Sequence, residues 1–198
     1  MINSIARAKQ KIRAIISKSR VPENPVHAEN VLEWVLKLKP DADEALQIAA
    51  LAHDIDRAVE KRKILCSDSN DYNAFKAAHA KNSARILKEI LNGCYVEQTI
   101  IDEACRLVER HETGGDLCSD LLKDADSISF FEVNMPLYFQ REGYEETLKR
   151  CIWGYQRLSP KMKAICQKMT YSHHSLVKIL QETVHNTSGK DESGKNGL

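Results

Sequence analysis

Ala45-Leu-Gln-Ile-Ala-Ala-Leu-Ala-His-Asp54 is the stretch whose reading decides the fold. Apart from Gln47 it has no polar face to give to water until its last two residues, so as a helix it belongs at the centre of a bundle. It ends on an adjacent imidazole and carboxylate, His53 and Asp54. Carrying such groups into a core costs several kcal/mol unless they are paired or bound to a cation. A divalent metal ion settles that cost. Imidazole nitrogen and carboxylate oxygen suit Mn, Fe, Co, Ni, Zn and, less readily, Mg.

Outward from this stretch the apolar residues recur at three and four rather than at two, which predicts helices throughout and no strand. Asp41 or Asp43 caps the central helix. Before it, Val31, Leu32, Val35, Leu36 and Leu38 line a helix that stops at Lys39-Pro40, and Ile5, Ile12, Ile15 and Ile16 line another that ends near Ser19. After it, residues 61–73 lose periodicity and read as a mobile loop that covers the site. Helices are then expected at about 74–92, 97–111, 117–142, 144–158 and 160–185. Residues 186–198, polar and glycine-rich, read as a disordered tail.

The chain of 198 residues suits one core of ordinary size, taken as residues 1–185. Its 29 Lys and Arg against 28 Asp and Glu leave a formal charge of +1, which gives no global field for a nucleic acid polymer or an anionic membrane. Any phosphate recognition must be local. Six cysteines lie far apart without a C-x-x-C pair, which fits neither a zinc ribbon nor a disulfide scaffold and reads as reduced, mostly buried thiols. Charges in Met1-Ile-Asn-Ser-Ile-Ala-Arg-Ala-Lys-Gln10 stand where a signal peptide needs an apolar run, and no apolar run is long enough for a membrane span. The expectation is a cytoplasmic protein.

Two ligands cannot hold an ion alone, so others must come from other helices. His27 opens the helix before the central one, and Leu121-Leu-Lys-Asp-Ala-Asp126 again sets acids among apolar turns. In order, His27, His53-Asp54 and Asp126 form an H…HD…D pattern. Here the chain resembles the HD superfamily of metal-dependent phosphohydrolases, closest in pattern to its small single-domain hydrolases. The resemblance spans about residues 26–131 and implies an all-α, HD-type bundle in which His27, His53, Asp54 and Asp126 ligate a divalent ion. Two further stretches strengthen it: Ala78-His-Ala-Lys-Asn-Ser83, with serine four residues after His79, and Leu107-Val-Glu-Arg-His111. His79 and His111 are thereby candidates for a second metal site, for phosphate binding or for acid/base work.

The resemblance implies hydrolysis of a small phosphorylated molecule, a nucleotide among the candidates. The ion, one or two per chain, lowers the pKa of a water held in an open position, with Asp54, His79 and His111 as catalytic residues. Arg57, three residues after Asp54, is the substrate-binding candidate, and Lys61 continues the same helical face. The chain departs from the family pattern in two places. Arg57 and Ala58 stand where many HD nucleotide hydrolases carry a glutamate, and Ser127 and Ile128 follow Asp126 in place of Arg and Leu. The same ordered set also occurs in di-iron oxygenases of the fold, and a non-catalytic ligand-binding module is a third reading.

Blander readings weigh against each residue. The His53-Asp54 group reads without metal as a buried hydrogen-bonded network, and the ordered motif outweighs that. His79 and His111 read otherwise as helix caps or satisfied core histidines, and Arg57 and Lys61 as a solvated face. His173 and His174 point about 100° apart on a helix, which makes them surface histidines rather than a ligand pair. Phe130, Phe131, Tyr138 and Phe139, at helical spacing, read as core.

Overall fold

The computed structural model describes residues 3–64 and 71–191. Among them there is helix and turn but no strand, so the protein is an all-α bundle. No described helix is long and apolar enough to cross a membrane. The chain divides into two compact units, residues 1–126 and 127–198, where the sequence reading takes residues 1–185 together.

In the first unit α1 is Ser4–Ile16, α2 Asn24–Leu38, α3 Glu44–Ala52, α4 Tyr72–Asn92, α5 Gln98–Arg110 and α6 begins at Leu117. Side-chain caps fix several starts. Asn3 accepts from the Ala6 amide at 2.7 Å, Asp43 from Leu46 at 2.9 Å and Asp71 from Ala74 at 2.7 Å, each satisfying an otherwise orphaned helix-end donor. Of the two acids offered for α3, Asp43 is the cap. Between α3 and α4 the chain makes a short 3-10 turn, Ile55–Ala58.

The core sits around α3. Ala45, Leu46, Ile48, Ala49, Ala50, Leu51 and Ala52 are all buried, as an apolar run with no polar face requires. Its alanines let neighbouring helices approach, and α3 packs on both α2 and α5. Ile12 of α1, Val31 and Val35 of α2, Leu87 and Leu91 of α4 and Leu107 and Val108 of α5 complete the cluster. Each such side chain contributes about 1.5–3 kcal/mol on burial. The short turn after Asn92 lays α4 along α5.

The second unit continues from α6, which ends at Ser129, through a π turn at Phe130–Asn134 into α7, Met135–Arg157, then α8, Pro160–Cys166, and α9, His174–Asp191. α7 packs along α9 and breaks at Gly143, whose φ of 79° is left-handed. Phe131 is fully buried and its carbonyl accepts the Tyr171 hydroxyl at 2.7 Å.

Three sequence expectations are corrected here. The helix expected over 117–142 gives way to the π turn at 130–134, and the one over 160–185 stops at Cys166 and restarts at His174. The tail expected to be disordered from residue 186 instead stays helical to Asp191. Thr183 and Thr187 are buried one turn apart on the face that carries Leu176, Ile179 and Leu180, and their hydroxyls donate to Ile179 and Thr183 carbonyls at 2.8 and 2.9 Å. That apolar face extends one turn further than side-chain polarity suggests. Residues 192–198, and residues 65–70 of the expected covering loop, lie outside the described residues. The five described cysteines are all free thiols, and His173 and His174 are exposed.

Candidate metal centre

Five helices of the first unit deliver the residues. His27 lies in the first turn of α2, just after Pro25; His53 ends α3; His111 ends α5; and Asp126 is in the last turn of α6. His79 is not the helix cap of the blander reading, because Asp71 caps α4 and sets His79 two turns inside it. Adjacent residues on a helix point about 100° apart. The chain leaves the helix at His53, and Asp54 takes φ −108° and ψ 22°, outside helical values. Both side chains thereby reach the same space.

Two groups result. In the first, His27 Nε2 lies 3.1 Å from Asp126 Oδ1 and 3.2 Å from His53 Nε2, and His53 Nε2 is 3.6 Å from Asp126 Oδ1. The second comprises Asp54, His79, His111 and Glu112, whose donor atoms all lie within 4.8 Å of one another. Asp54 joins the two. Its Oδ2 is 3.7 Å from His53 Nε2, while its Oδ1 is 2.5 Å from His79 Nε2 and 3.8 Å from His111 Nε2. All four histidines and all four acids, Asp54, Asp56, Asp126 and Glu112, are almost wholly shielded from water.

Surrounding groups fix which nitrogen each ring presents. His53 Nδ1–H donates to the Ala50 carbonyl at 2.9 Å and His111 Nδ1–H to the Val108 carbonyl at 2.7 Å. His79 Nδ1 meets Asp56 Oδ1 at 2.5 Å. Such outer partners hold a histidine with its other nitrogen free to ligate. Asp56 is itself pinned: its other oxygen accepts from Asn82 Nδ2 and the Ile64 amide, both at 3.4 Å, and its own amide donates to Ser83 Oγ at 3.3 Å. The serine four residues after His79 therefore holds the turn that carries Asp56.

The donor chemistry fits a cation. With Nδ1–H of His53 committed to Ala50, the neutral ring turns a lone pair at Nε2 toward Asp126, Asp54 and His27. A proton on His27 Nε2 can satisfy only one of these neighbours. A divalent ion satisfies all of them, and nitrogen and carboxylate donors suit Mn, Fe, Co, Ni or Zn.

Electrostatics follow the same layout. Burial opposes ionisation of Asp54, but Arg57, His53 and His79 outweigh it and hold the carboxyl well below its usual range. For His53, burial disfavours the imidazolium while Asp54 and Asp126 overcome that and raise its pKa. His79 behaves alike, with burial overcome by Asp54 and Asp56. Burial wins at His27, whose pKa is lowered despite Asp126.

Arg57 sits half-buried with Nη1 2.8 Å from Asp54 Oδ2, and burial of its guanidinium is outweighed by Asp54, Asp126, Asp56 and Glu112. Lys61 does not continue a helical face, because α3 ends at Ala52; it is exposed in the turn beyond the 3-10 segment. Asp124 is half-buried. Sequence reasoning missed three residues: Glu112, Asp56 and Lys76, which is 4% exposed and ion-paired with Glu112. Glu112 follows His111 at a helix end as Asp54 follows His53, and that repetition of an imidazole-carboxylate pair was its signal. Lys76 precedes His79 by three residues and so shares its helix face.

The family described as Domain of unknown function (DUF4202) matches residues 4–180, most of the chain and all of these residues. Neither a curated protein nor a solved structure matches.

Proposed function

We propose that the chain, which on that match belongs to the DUF4202 family, is a metal-dependent phosphohydrolase of the HD type acting on a small phosphorylated molecule such as a nucleotide. The observation that carries this reading is Asp54, whose two oxygens face two different histidine groups while Arg57 stands beside it. His27, His53, Asp54 and Asp126 would hold the ion. When bound, it supplies Lewis acidity and an acidified water. Asp54 would orient that water, and Arg57 beside it would meet the phosphoryl oxygens, where charge builds up in the transition state, with Lys61 as a second cation for them. His79 and His111 are close enough to Asp54 to move a proton to or from the reacting groups. Its partner on this reading is the small substrate, in the cytoplasm, rather than a polymer or a membrane.

The buried carboxylate between two imidazole groups also suits a di-iron oxygenase, so the deciding experiment separates the two. Protein purified anaerobically is analysed for metal and assayed against nucleotides and phosphoesters with Mn, Co, Ni or Mg. Phosphate release that is lost in Asp54→Ala, with helical content retained, supports hydrolysis. Two irons and oxygen uptake without phosphate release would favour the oxygenase, and neither metal nor turnover a binding module.

A further inference from the structure

The second group, Asp54, His79, His111 and Glu112, looks able to take an ion of its own, yet one of its four donors already has a cation from the chain. Glu112 Oε1, 3.1 Å from His111 Nε2, is in direct ion-pair contact with the Lys76 ammonium. The pair is sealed, with side-chain exposures of 4% for Lys76 and 5% for Glu112. A buried ammonium cannot give up its carboxylate without finding another partner or reaching water, because desolvation of an unpaired charge is costly. Nothing in a 4% exposed side chain gives it that exit.

Resting on the metal reading above, we propose that the Lys76 ammonium takes the place of a second metal ion. The chain holds one divalent ion, at His27, His53, Asp54 and Asp126, and keeps Lys76 beside His79 and His111 as a fixed charge. Arg57 beside Asp54 Oδ2, and Lys76 on Glu112 next to His111, then each supply to an anionic substrate part of the charge that a second ion would bring. His79 and His111 are left to the substrate rather than to metal.

Metal stoichiometry tests this without any substrate. Metal-free full-length protein is titrated with Mn(II) in a calorimeter, and bound metal is measured after desalting. Wild type should take up one equivalent, lost in His27→Ala, and show the six-line resonance of an isolated Mn(II). Lys76→Met, similar in length but uncharged, should take up two, with the spectrum of a coupled pair, while Lys76→Arg stays at one. Circular dichroism checks that each variant is folded. Two equivalents in wild type overturn the inference even if no variant folds, and one equivalent in folded Lys76→Met overturns it as well. Retention of the ion in His27→Ala would put it in the wrong group. No uptake by wild type overturns the metal reading itself, and the inference with it.

Discussion

Asp126→Asn separates the metal centre from a buried hydrogen-bond network more cleanly than truncation does. The side chain is 6% exposed, so its shape must be kept, and asparagine keeps it. In the metal-free protein the amide oxygen can still accept from His27 Nε2, which Asp126 Oδ1 now meets at 3.1 Å. Exchanging a charge-assisted bond for a neutral one costs about 1 kcal/mol, and relief of repulsion between Asp126 and the other buried carboxylates offsets part of that. The metal-free variant should therefore melt within a few degrees of wild type. Metal changes the comparison. An ion present at about 100 times its dissociation constant stabilises the native state by about 2.7 kcal/mol. At about 2–4 °C per kcal/mol for a chain of this size, wild type should gain about 5–11 °C. Loss of an outer partner alone costs a metal site about 10–100-fold, so loss of a ligand should cost at least the upper figure. The same metal concentration then stands near the variant's dissociation constant, and the gain drops to about 0.4 kcal/mol, or about 1–2 °C. The assay is a melting curve with and without Mn(II), Co(II) or Zn(II), supported by elemental analysis. An unchanged metal-induced shift in Asp126→Asn would refute the assignment of Asp126 as a ligand.

The pH dependence of metal uptake has a fixed sign. Carboxylates overcome burial to raise the pKa of His53 and His79, so in the metal-free protein their stabilising contribution is complete below the unfolded histidine value of about 6.5 and fades as pH rises through the higher folded values. His27 is shifted down, so its protonation costs stability as pH falls below about 6.5. Metal needs His53 deprotonated, so apparent affinity should climb between about pH 6 and 8 with proton release visible as a buffer-dependent heat, and a flat profile would contradict the layout. Asp56→Ala removes the acceptor for His79 Nδ1, Asn82 Nδ2 and the Ile64 amide from a fully buried position. It should destabilise by about 3 kcal/mol or more in urea titration and lower turnover by about 10–100-fold; a wild-type midpoint would show that water replaces the carboxylate at no cost. Gly114→Ala places a Cβ at φ +71°, 2.0 Å from Asp120 Oδ1, in the turn that leads from His111 to α6. The left-handed conformation alone costs about 1–2 kcal/mol, so the melting point should fall by several degrees, and an unchanged value would mean that the turn rearranges freely.

How far the site could be read from the sequence follows from which forces place each residue. His53 and Asp54 announce themselves because polar groups at the end of an apolar run must be satisfied, and α3 is indeed buried on all sides. The helix ends at 92–93 and 110–111 follow from local signals, an Asn-Gly pair and a Gly-Gly pair, and the fold puts both near where sequence places them. The shared helical face of Arg57 and Lys61 was misread for the opposite reason: it needs α3 to continue past Ala52, and the competing pulls on Asp54 from Arg57, His79 and His53 hold the chain in a tighter turn. Asp56 and Lys76 were out of reach because an acid two residues past Asp54 and a lysine three before His79 look like solvated charges until their partners, on other elements, are known. Each is buried only because the other element brings the opposite charge: α4 gives His79 and Asn82 to Asp56, and the end of α5 gives Glu112 to Lys76. Single-sequence reading finds residues that are costly in their own neighbourhood; it misses those whose cost arises, and is offset, only when two helices meet. On the reading proposed above, it is a residue of that second kind, Lys76, that limits how many ions the site can hold.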